Sequence, residues 1–236
     1  MTDVVDERGV GVERMFSAIA PRYDFLNRLL SAGRDHYWRR EAIRATALPL
    51  RGRLLDICTG TADMALEAAR RFPEARIVGV DFSRPMISLG LAKVERANLA
   101  SRISLQVAPA EALPFPDESF DAATVAFGLR NVPDRLRGLR EMHRVLRPGG
   151  CGVILEFTTP PSPVFRRAYL WYFHRVLPWI GRVVSGHPSA YSYLPASVSE
   201  FPSPEGLVTW MRDAGFSDVS YWLLTAGIVA IHVGRK

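Results

Sequence analysis

The sequence predicts an α/β fold, a doubly wound sheet of seven strands, mostly parallel, with an antiparallel C-terminal hairpin at one edge. Three observations carry that prediction. Short apolar runs alternate with helical patterns between residues 50 and 157, the rhythm of successive βα units. The run Leu54-Leu55-Asp56-Ile57 breaks at Cys58-Thr59-Gly60-Thr61-Ala62-Asp63, and an Ala/Leu-rich helix follows to about residue 71. About twenty residues later, Ile77-Val78-Gly79-Val80 ends in Asp81, where a neighbouring strand of such a sheet offers a carboxylate to a ribose.

At 236 residues the chain has room for one such domain and a substrate-covering insertion, and no internal repeat is visible. Apolar content of 48% and charged content of 23% exclude a disordered or fibrous chain. No apolar run approaches the ~18–20 residues that span a bilayer. Asp3, Asp6, Glu7 and Glu13 argue against a secretory signal at the start. Cys58 and Cys151 fall in different predicted strands with apolar neighbours, which reads as two reduced, buried thiols of a cytoplasmic protein. The formal charge of +6 is spread along the chain without a block, so it permits an acidic partner and identifies none.

In order, residues 12–46 form an N-terminal helical cover interrupted at Pro21 and Gly33. Met15, Phe16 and Ile19 line one apolar face, and Phe25, Leu26, Leu29 and Leu30 line a second, with Asp24 as its N-cap. The core spans residues 50–157. After Asp81, Ser83 and Pro85 open a helix through residue 97. Residues 103–107 make the third strand, and the Pro-rich stretch from Ala108 to Asp117 stays irregular. Residues 120–127 make the fourth strand, with Gly128-Leu129-Arg130-Asn131-Val132 as the loop at its carboxyl end. A helix over 134–146 stops before Pro148-Gly149-Gly150, which turns into a fifth strand at 151–157.

Residues 158–200 are the insertion. Pro160, Pro161 and Pro163 forbid a helix at its start, and a helix over 164–184 then carries Phe165, Tyr169, Trp171 and Trp179 interleaved with Arg166, Arg167, Arg175 and Arg182. Such a helix either packs on the core or forms an aromatic lid that touches a membrane interface. Residues 203–236 close the chain with a helix over 203–214 and strands at 219–224 and 228–233. Thr225-Ala226-Gly227 turns between those strands as a hairpin.

The ligand signal is sharper than a generic dinucleotide site. Gly60 lacks the G-x-G-x-x-G spacing, and Asp56 and Asp63 flank the turn, where a pyrophosphate would be repelled. An adenosine ligand carrying a cationic centre tolerates those carboxylates. The stretch from Leu54 to Asp63 resembles the first motif of class I S-adenosylmethionine methyltransferases. Tyr23-Asp24-Phe25-Leu26-Asn27 with Ser31, Gly33 and Trp38, then Gly128-Leu129-Arg130-Asn131-Val132, then Arg144-Val145-Leu146-Arg147-Pro148-Gly149-Gly150 leading to Leu155-Glu156-Phe157, resemble the quinone-biosynthesis C-methyltransferases. Tyr191-Ser192-Tyr193-Leu194 also fits that family, and the resemblance covers nearly the whole chain.

The resemblance implies a class I Rossmann-like fold, S-adenosylmethionine as cofactor and C-methylation of a prenylated quinol ring. Demethylmenaquinol is preferred over the ubiquinone-pathway benzoquinol, on Gly60-Thr61-Ala62-Asp63 and on Asp35 where ubiquinone-type members commonly carry His. The implied cofactor contacts are Gly60, Thr61, Asp81, Pro109, Ala110 and Ala126, with Thr61 at the methionine part and Asp81 on the ribose hydroxyls. Three departures stand out. Pro109 replaces a polar residue that would bind the adenine amine, so the Ala110 backbone must hold that ring. Ala126 stands where some relatives have Ser. Thr59 and Ala62 stand where relatives often have Gly, and Thr59 is the less comfortable of the two.

For catalysis the resemblance points to Arg130 and Asn131, with Tyr23 closing the site. Arg130 is expected to stabilise a developing quinolate and Asn131 to orient the water or hydroxyl that loses the proton. The alternative for Arg130 is a structural ion pair with Asp24 or Asp134. No metal site is expected, because His36, His143, His174, His187 and His232 show no ligand spacing. The expected partners are the quinol and, weakly, a membrane surface, with no nucleic acid; a homodimer is left open. The expected location is the cytoplasm, peripherally at the inner face of the cell membrane. Two other functions remain open on the residues, an RNA methyltransferase on the basic charge and a non-catalytic cofactor-binding regulator on Pro109.

Overall fold

A strand covered on both faces must be apolar nearly throughout, and β1 (Arg53–Ile57) is buried from Leu54 onward. The computed structural model describes residues 31–172 and 197–236 together with Asp24, Arg28 and Arg175. After α1 (Asp35–Ala45) and β1 come α2 (Asp63–Arg71), β2 (Arg76–Asp81), α3 (Arg84–Arg96), β3 (Ile103–Val107) and β4 (Phe120–Ala126). A 3₁₀ turn (Leu129–Asn131), α4 (Arg135–Val145), β5 (Leu146–Phe157) and α5 (Pro163–Trp171) follow. The chain closes with α6 (Pro204–Asp213), β6 (Ser217–Leu224), a second 3₁₀ turn (Thr225–Gly227) and β7 (Val229–Arg235).

All seven strands form one sheet in the order β3-β2-β1-β4-β5-β7-β6. The first five are parallel, whereas β7 pairs antiparallel with β5 and with β6. The order reverses at β1, which has β2 on one side and β4 on the other. Such sheets open their ligand crevice at that switch point, at the carboxyl ends of the strands. Alternation along the strands separates two cores. Leu54, Ile77, Val153 and Leu155 pack with Trp38, Met64 and Val94 from α1, α2 and α3. Leu55, Ile57 and Ile154 pack with Leu139, Met142, Leu207 and Met211 from α4 and α6.

Several local expectations change. Residues 146–150 belong to β5, because Leu146 pairs with Phe120 and the register shifts before Ala122 meets Cys151. Pro148-Gly149-Gly150 is therefore an irregularity inside a strand, with Gly149 at φ 77°, and not a turn ahead of it. Pro163 opens α5, the first helical position at which a missing N–H costs nothing. The helix expected over 164–184 is described only as far as Trp171, with Tyr172 and Arg175 in π-helical turns. Residues 176–196, including Trp179 and the Tyr191–Leu194 stretch, lie outside the described residues. Cys58 sits one residue past β1, half-buried, and not in the strand. Asp24 is itself in helical backbone, and both its carboxylate oxygens reach across to Thr61 and Lys93.

The turn after β1 is built from left-handed residues, Cys58 at φ 56°, Gly60 at 54° and Ala62 at 68°. Thr59 between them has no such strain. Its N–H donates to the Val80 carbonyl at 2.9 Å, and its hydroxyl donates to Asp56 Oδ2 at 2.5 Å. The comfort of the two Gly-to-non-Gly positions is thus reversed from expectation, since Ala62 bears the cost. On the β4 side, a Cβ at Gly128 would come within 2.3 Å of Cys58 Cβ, so only glycine lets the two loops close on each other.

Asp56 is fully buried and accepts from Thr59 and, at 2.9 Å, from Thr124 Oγ1. Burial pushes its carboxyl up to about 6, against the pull of those two hydroxyls and of Arg39.

Two stability experiments follow from this turn. Ala62→Gly should stabilise the fold by about 1 kcal/mol, the scale of a left-handed alanine relieved less the entropy of glycine, read as a raised urea midpoint. An unchanged midpoint would show that the strain is compensated elsewhere. For Asp56, the folded state keeps its proton through a window in which the unfolded chain has lost its own. Stability therefore falls as pH rises from about 4 to about 6, and the deficit persists above, amounting to about 3 kcal/mol. Asp56→Asn removes that titration, so its stability margin over the parent should widen across the same window and then level off. A margin independent of pH would mean that Asp56 stays ionised throughout.

Candidate active site

β2 delivers Asp81 to the crevice beside the β1 turn. Its Oδ2 accepts from the Gly60 N–H and its Oδ1 from the Ser83 N–H, each at 2.9 Å. Burial raises the carboxyl above its usual range, and the two N–H groups pull it back. A carboxylate has about four lone-pair directions, so two remain for a pair of vicinal hydroxyls. A Cβ placed on Gly60 meets no atom within 4 Å, so the turn faces open space beside that acid. This donor and acceptor set fits an adenosine ribose.

β3 and β4 end at the same edge. The Ala108 N–H donates to the Asp81 carbonyl at 3.0 Å, which brings Pro109 and Ala110 next to the carboxylate's strand. Pro109 is exposed, while Ala110 is buried against Gly138 of α4. Ala126 is half-buried at the last position of β4, one residue beyond the pairing of Val125 with Ile57. Thr61 lies at the start of the next helix, its hydroxyl donating to Asp24 Oδ1 at 2.6 Å and accepting from Lys93 Nζ at 3.0 Å. The structure thus gathers Gly60, Thr61, Asp81, Pro109, Ala110 and Ala126 on one rim.

Arg130 and Asn131 sit in the 3₁₀ turn after β4. Arg130 is buried, with Nη1 donating to Glu156 Oε2 at 2.8 Å and to the Phe127 carbonyl at 2.6 Å. Its backbone N–H reaches Glu156 Oε1 at 3.3 Å, and its guanidinium lies 5.5 Å from the centroid of the Phe157 ring. The ion-pair partner is therefore Glu156, not Asp24 or Asp134. Asp134 instead caps α4 by accepting from the Arg137 N–H. Arg130 Nε is buried and has no hydrogen-bond partner among the described residues. Asn131 is half-buried, with Nδ2 3.4 Å from the Phe127 carbonyl. Tyr23 lies outside the described residues.

Two contributors were not singled out from sequence as site residues. Glu156 stood there only as part of a family signature. An acid at the carboxyl end of a buried strand is itself a signal, since it needs a partner to be there. Tyr169 comes from α5 and is buried; burial pushes its phenol up, and the charge of Arg130 pulls against that. Trp38, Phe127 and Phe157 wall the same region, with ring centroids 4.7–6.2 Å apart, and Trp38 Nε1 donates to Thr225 Oγ1 at 2.7 Å. Asp81 thus stands at the carboxyl end of β2, and Arg130 with its aromatic wall follows the carboxyl end of β4.

A model of the ubiE/COQ5 methyltransferase family matches residues 1–236. The chain is 54% identical over 231 residues to the ubiquinone/menaquinone biosynthesis C-methyltransferase UbiE of Geobacter sulfurreducens, covering 98% of this chain and 90% of that protein. It is 52% identical over 222 residues to the demethylmenaquinone methyltransferase of Thermus thermophilus, covering 94% of this chain and 100% of that one. Among solved structures, the [4+2]-cyclase SpnF shares the fold with a TM-score of 0.73 at 20% identity, covering 95% of both chains. A SAM-dependent methyltransferase of Thermotoga maritima, described as a possible histamine N-methyltransferase, aligns with a TM-score of 0.65 at 21% identity over 94% of this chain and 99% of that one. Such distant likenesses speak only for the fold. With the family model spanning the whole chain and relatives above half identity, the chain belongs to the ubiE/COQ5 methyltransferase family and is an S-adenosylmethionine-dependent C-methyltransferase.

Proposed function

We propose that this enzyme methylates a ring carbon of a prenylated quinol, with demethylmenaquinol as its substrate. The observation that carries the reading is Arg130, buried, held in one orientation by Glu156, with an Nε–H that no described residue accepts, beside an aromatic wall. The relatives named for demethylmenaquinone and menaquinone support the ring chosen.

A ring carbon becomes a nucleophile only when the ring is electron-rich, as in the quinol and most of all once a hydroxyl has lost its proton. S-adenosylmethionine, when bound, supplies the methyl on a sulfonium. Asp81 would hold its ribose, the Ala110 backbone its adenine and Thr61 its methionine part, with Gly60 letting the cofactor approach the turn. Arg130 is too basic to take the proton. Its role is to donate to the ring oxygen as negative charge gathers there. Glu156 neutralises Arg130 beforehand, so the guanidinium acts as an oriented dipole whose alignment precedes the reaction. Asn131 orients the water or hydroxyl through which the proton leaves, and Tyr23 closes the site from the N-terminal segment.

Membrane contact at the cytoplasmic face belongs to the same proposal. α5 leaves Val164 82% and Trp171 65% exposed, next to the exposed Phe165, Arg166 and Arg167. Among the described residues no helix is long and apolar enough to cross a membrane. Apolar rings beside arginines match an anionic lipid interface, where a polyprenyl tail would be presented.

Incubation with labelled S-adenosylmethionine and, separately, a reduced demethylnaphthoquinol, the matching benzoquinol and RNA tests the substrate; label is expected on the naphthoquinol, and label confined to RNA would overturn the reading. Arg130→Ala should lower turnover by ~10²-fold or more with cofactor affinity little changed, the scale of one lost oriented donor. Glu156→Gln, which keeps shape and removes charge, should also slow turnover. A folded Arg130→Ala enzyme at parental rate would remove Arg130 from the mechanism. For the membrane, binding to anionic vesicles should weaken as salt shortens the ~10 Å screening length of 0.1 M solutions. The Phe165→Ser/Trp171→Ser variant should lose more activity on a long-tailed quinol than on a tail-less one; equal losses would assign these side chains to folding alone.

A further inference from the structure

Three helices enclose a cavity of about 310 Å³ on the outer side of the helical layer. Asp63, Leu66, Glu67 and Arg70 line it from one face of α2, opposite the buried Ala65, Ala68 and Ala69 that pack on the sheet. α1 contributes His36 and Arg39, α3 contributes Lys93 and Arg96, and Arg28 comes from the N-terminal segment. The seven residues from Asp63 to Arg70 carry the groove ~10 Å along α2, away from the β1 turn and toward the far end of the helix.

The lining holds five cations against two carboxylates. Both carboxylates are already answered. Asp63 takes the Lys93 ammonium, and Glu67 lies 3.6 Å from Arg40 Nε and 3.9 Å from Arg70 Nη1. Lys93 is fully used, since Asp24 and Thr61 accept its other two protons. The four arginines are not. No described carboxylate comes within ion-pair distance of Arg28 or Arg96, and Arg70 has only its long contact with Glu67. Arg39 is the telling one. It is buried, its Nε has no hydrogen-bond partner among the described residues, and its one ion pair, with Asp35 Oδ2, is stretched to 4.0 Å. A buried guanidinium left so poorly served is costly unless an acceptor arrives to complete it.

We propose that this groove binds a phosphoryl group, through Arg28, Arg39, Arg70 and Arg96. Four planar forks offer more donors than the two oxygens of one carboxylate can accept. A phosphoryl group presents three oxygens and up to two negative charges, and pairs with arginine in the bidentate manner. The group comes either from a soluble phosphate compound or from the headgroup of a phospholipid, and the chemistry of recognition is the same for both.

The test is calorimetry on the full chain with inorganic pyrophosphate as the probe. Arg70→Gln/Arg96→Gln, two exposed positions at the ends of their helices, should weaken binding by about tenfold to a hundredfold, the range for hydrogen bonds to a charged group. Arg39→Gln should weaken it by about tenfold or more. Arg140→Gln/Arg212→Gln removes the same charge from exposed positions of α4 and α6 and should leave binding unchanged. Saturating S-adenosylhomocysteine should also leave it unchanged, because the groove lies outside the crevice beside Asp81. Phosphatidylcholine vesicles with and without phosphatidic acid distinguish the sources. Binding to phosphatidic acid that pyrophosphate competes away and Arg70→Gln/Arg96→Gln loses would support a lipid headgroup. Pyrophosphate binding that the vesicles do not affect would support a soluble ligand. No pyrophosphate binding by the parent, equal weakening in the Arg140/Arg212 control, or competition with S-adenosylhomocysteine for one site would overturn the proposal.

Discussion

Where β1 ends, the chain must leave the sheet at once and still present a helix start and an open edge to a ligand. The solution is a turn whose backbone is satisfied from outside itself. Asp81 of β2 takes the Gly60 N–H, the Val80 carbonyl takes the Thr59 N–H, and Asp56 takes the Thr59 hydroxyl. These bonds hold Cys58, Gly60 and Ala62 in left-handed backbone, an arrangement that a free peptide would abandon. Every part of the candidate site hangs from that turn: Asp81, whose carboxylate braces it, the helix start with Thr61 and Asp63, and the β4 loop that closes on Cys58 only because residue 128 is glycine.

The two ends of the crevice use charge differently. Beside Thr61, Lys93 holds the carboxylates of Asp24 and Asp63, and the charges of Arg39 and Arg28 also act on Asp63. Beside β4 the charges of Arg130 and Glu156 cancel, and what remains is direction: an arginine plane held by a carboxylate, a carbonyl and a phenyl face. Burying that pair is expensive in isolation, and removing one member would strand the other. Such a pair gives orientation more than stability, which is what a site that must respond to charge appearing on a ring oxygen requires.

The order of strands and helices was legible because the apolar periodicity is strong and the helices are short and well punctuated. Where the reading slipped, the cause was local chemistry overridden by pairing. Pro148-Gly149-Gly150 reads as a turn on its own, yet Leu146 finds Phe120 and the strand begins ahead of the glycines. Thr59 looked less comfortable than Ala62 where relatives often have Gly, but the strain falls on Ala62 and Thr59 is an ordinary residue with a buried acceptor. Asp24 reads as a cap from its neighbours and is instead used across the fold.

By itself the sequence determined the α/β class, the hairpin edge and the place of Asp81 at the end of β2, since each depends on neighbours in the chain or on the regular spacing of βα units. Only the tertiary structure decided partners. Glu156 for Arg130, and Lys93 among Asp24, Thr61 and Asp63, join residues 26 to 69 positions apart. A charged side chain advertises that it needs a counterpart, but not which one. That choice is made by strand order and helix packing, which bring distant charges to one edge of the sheet.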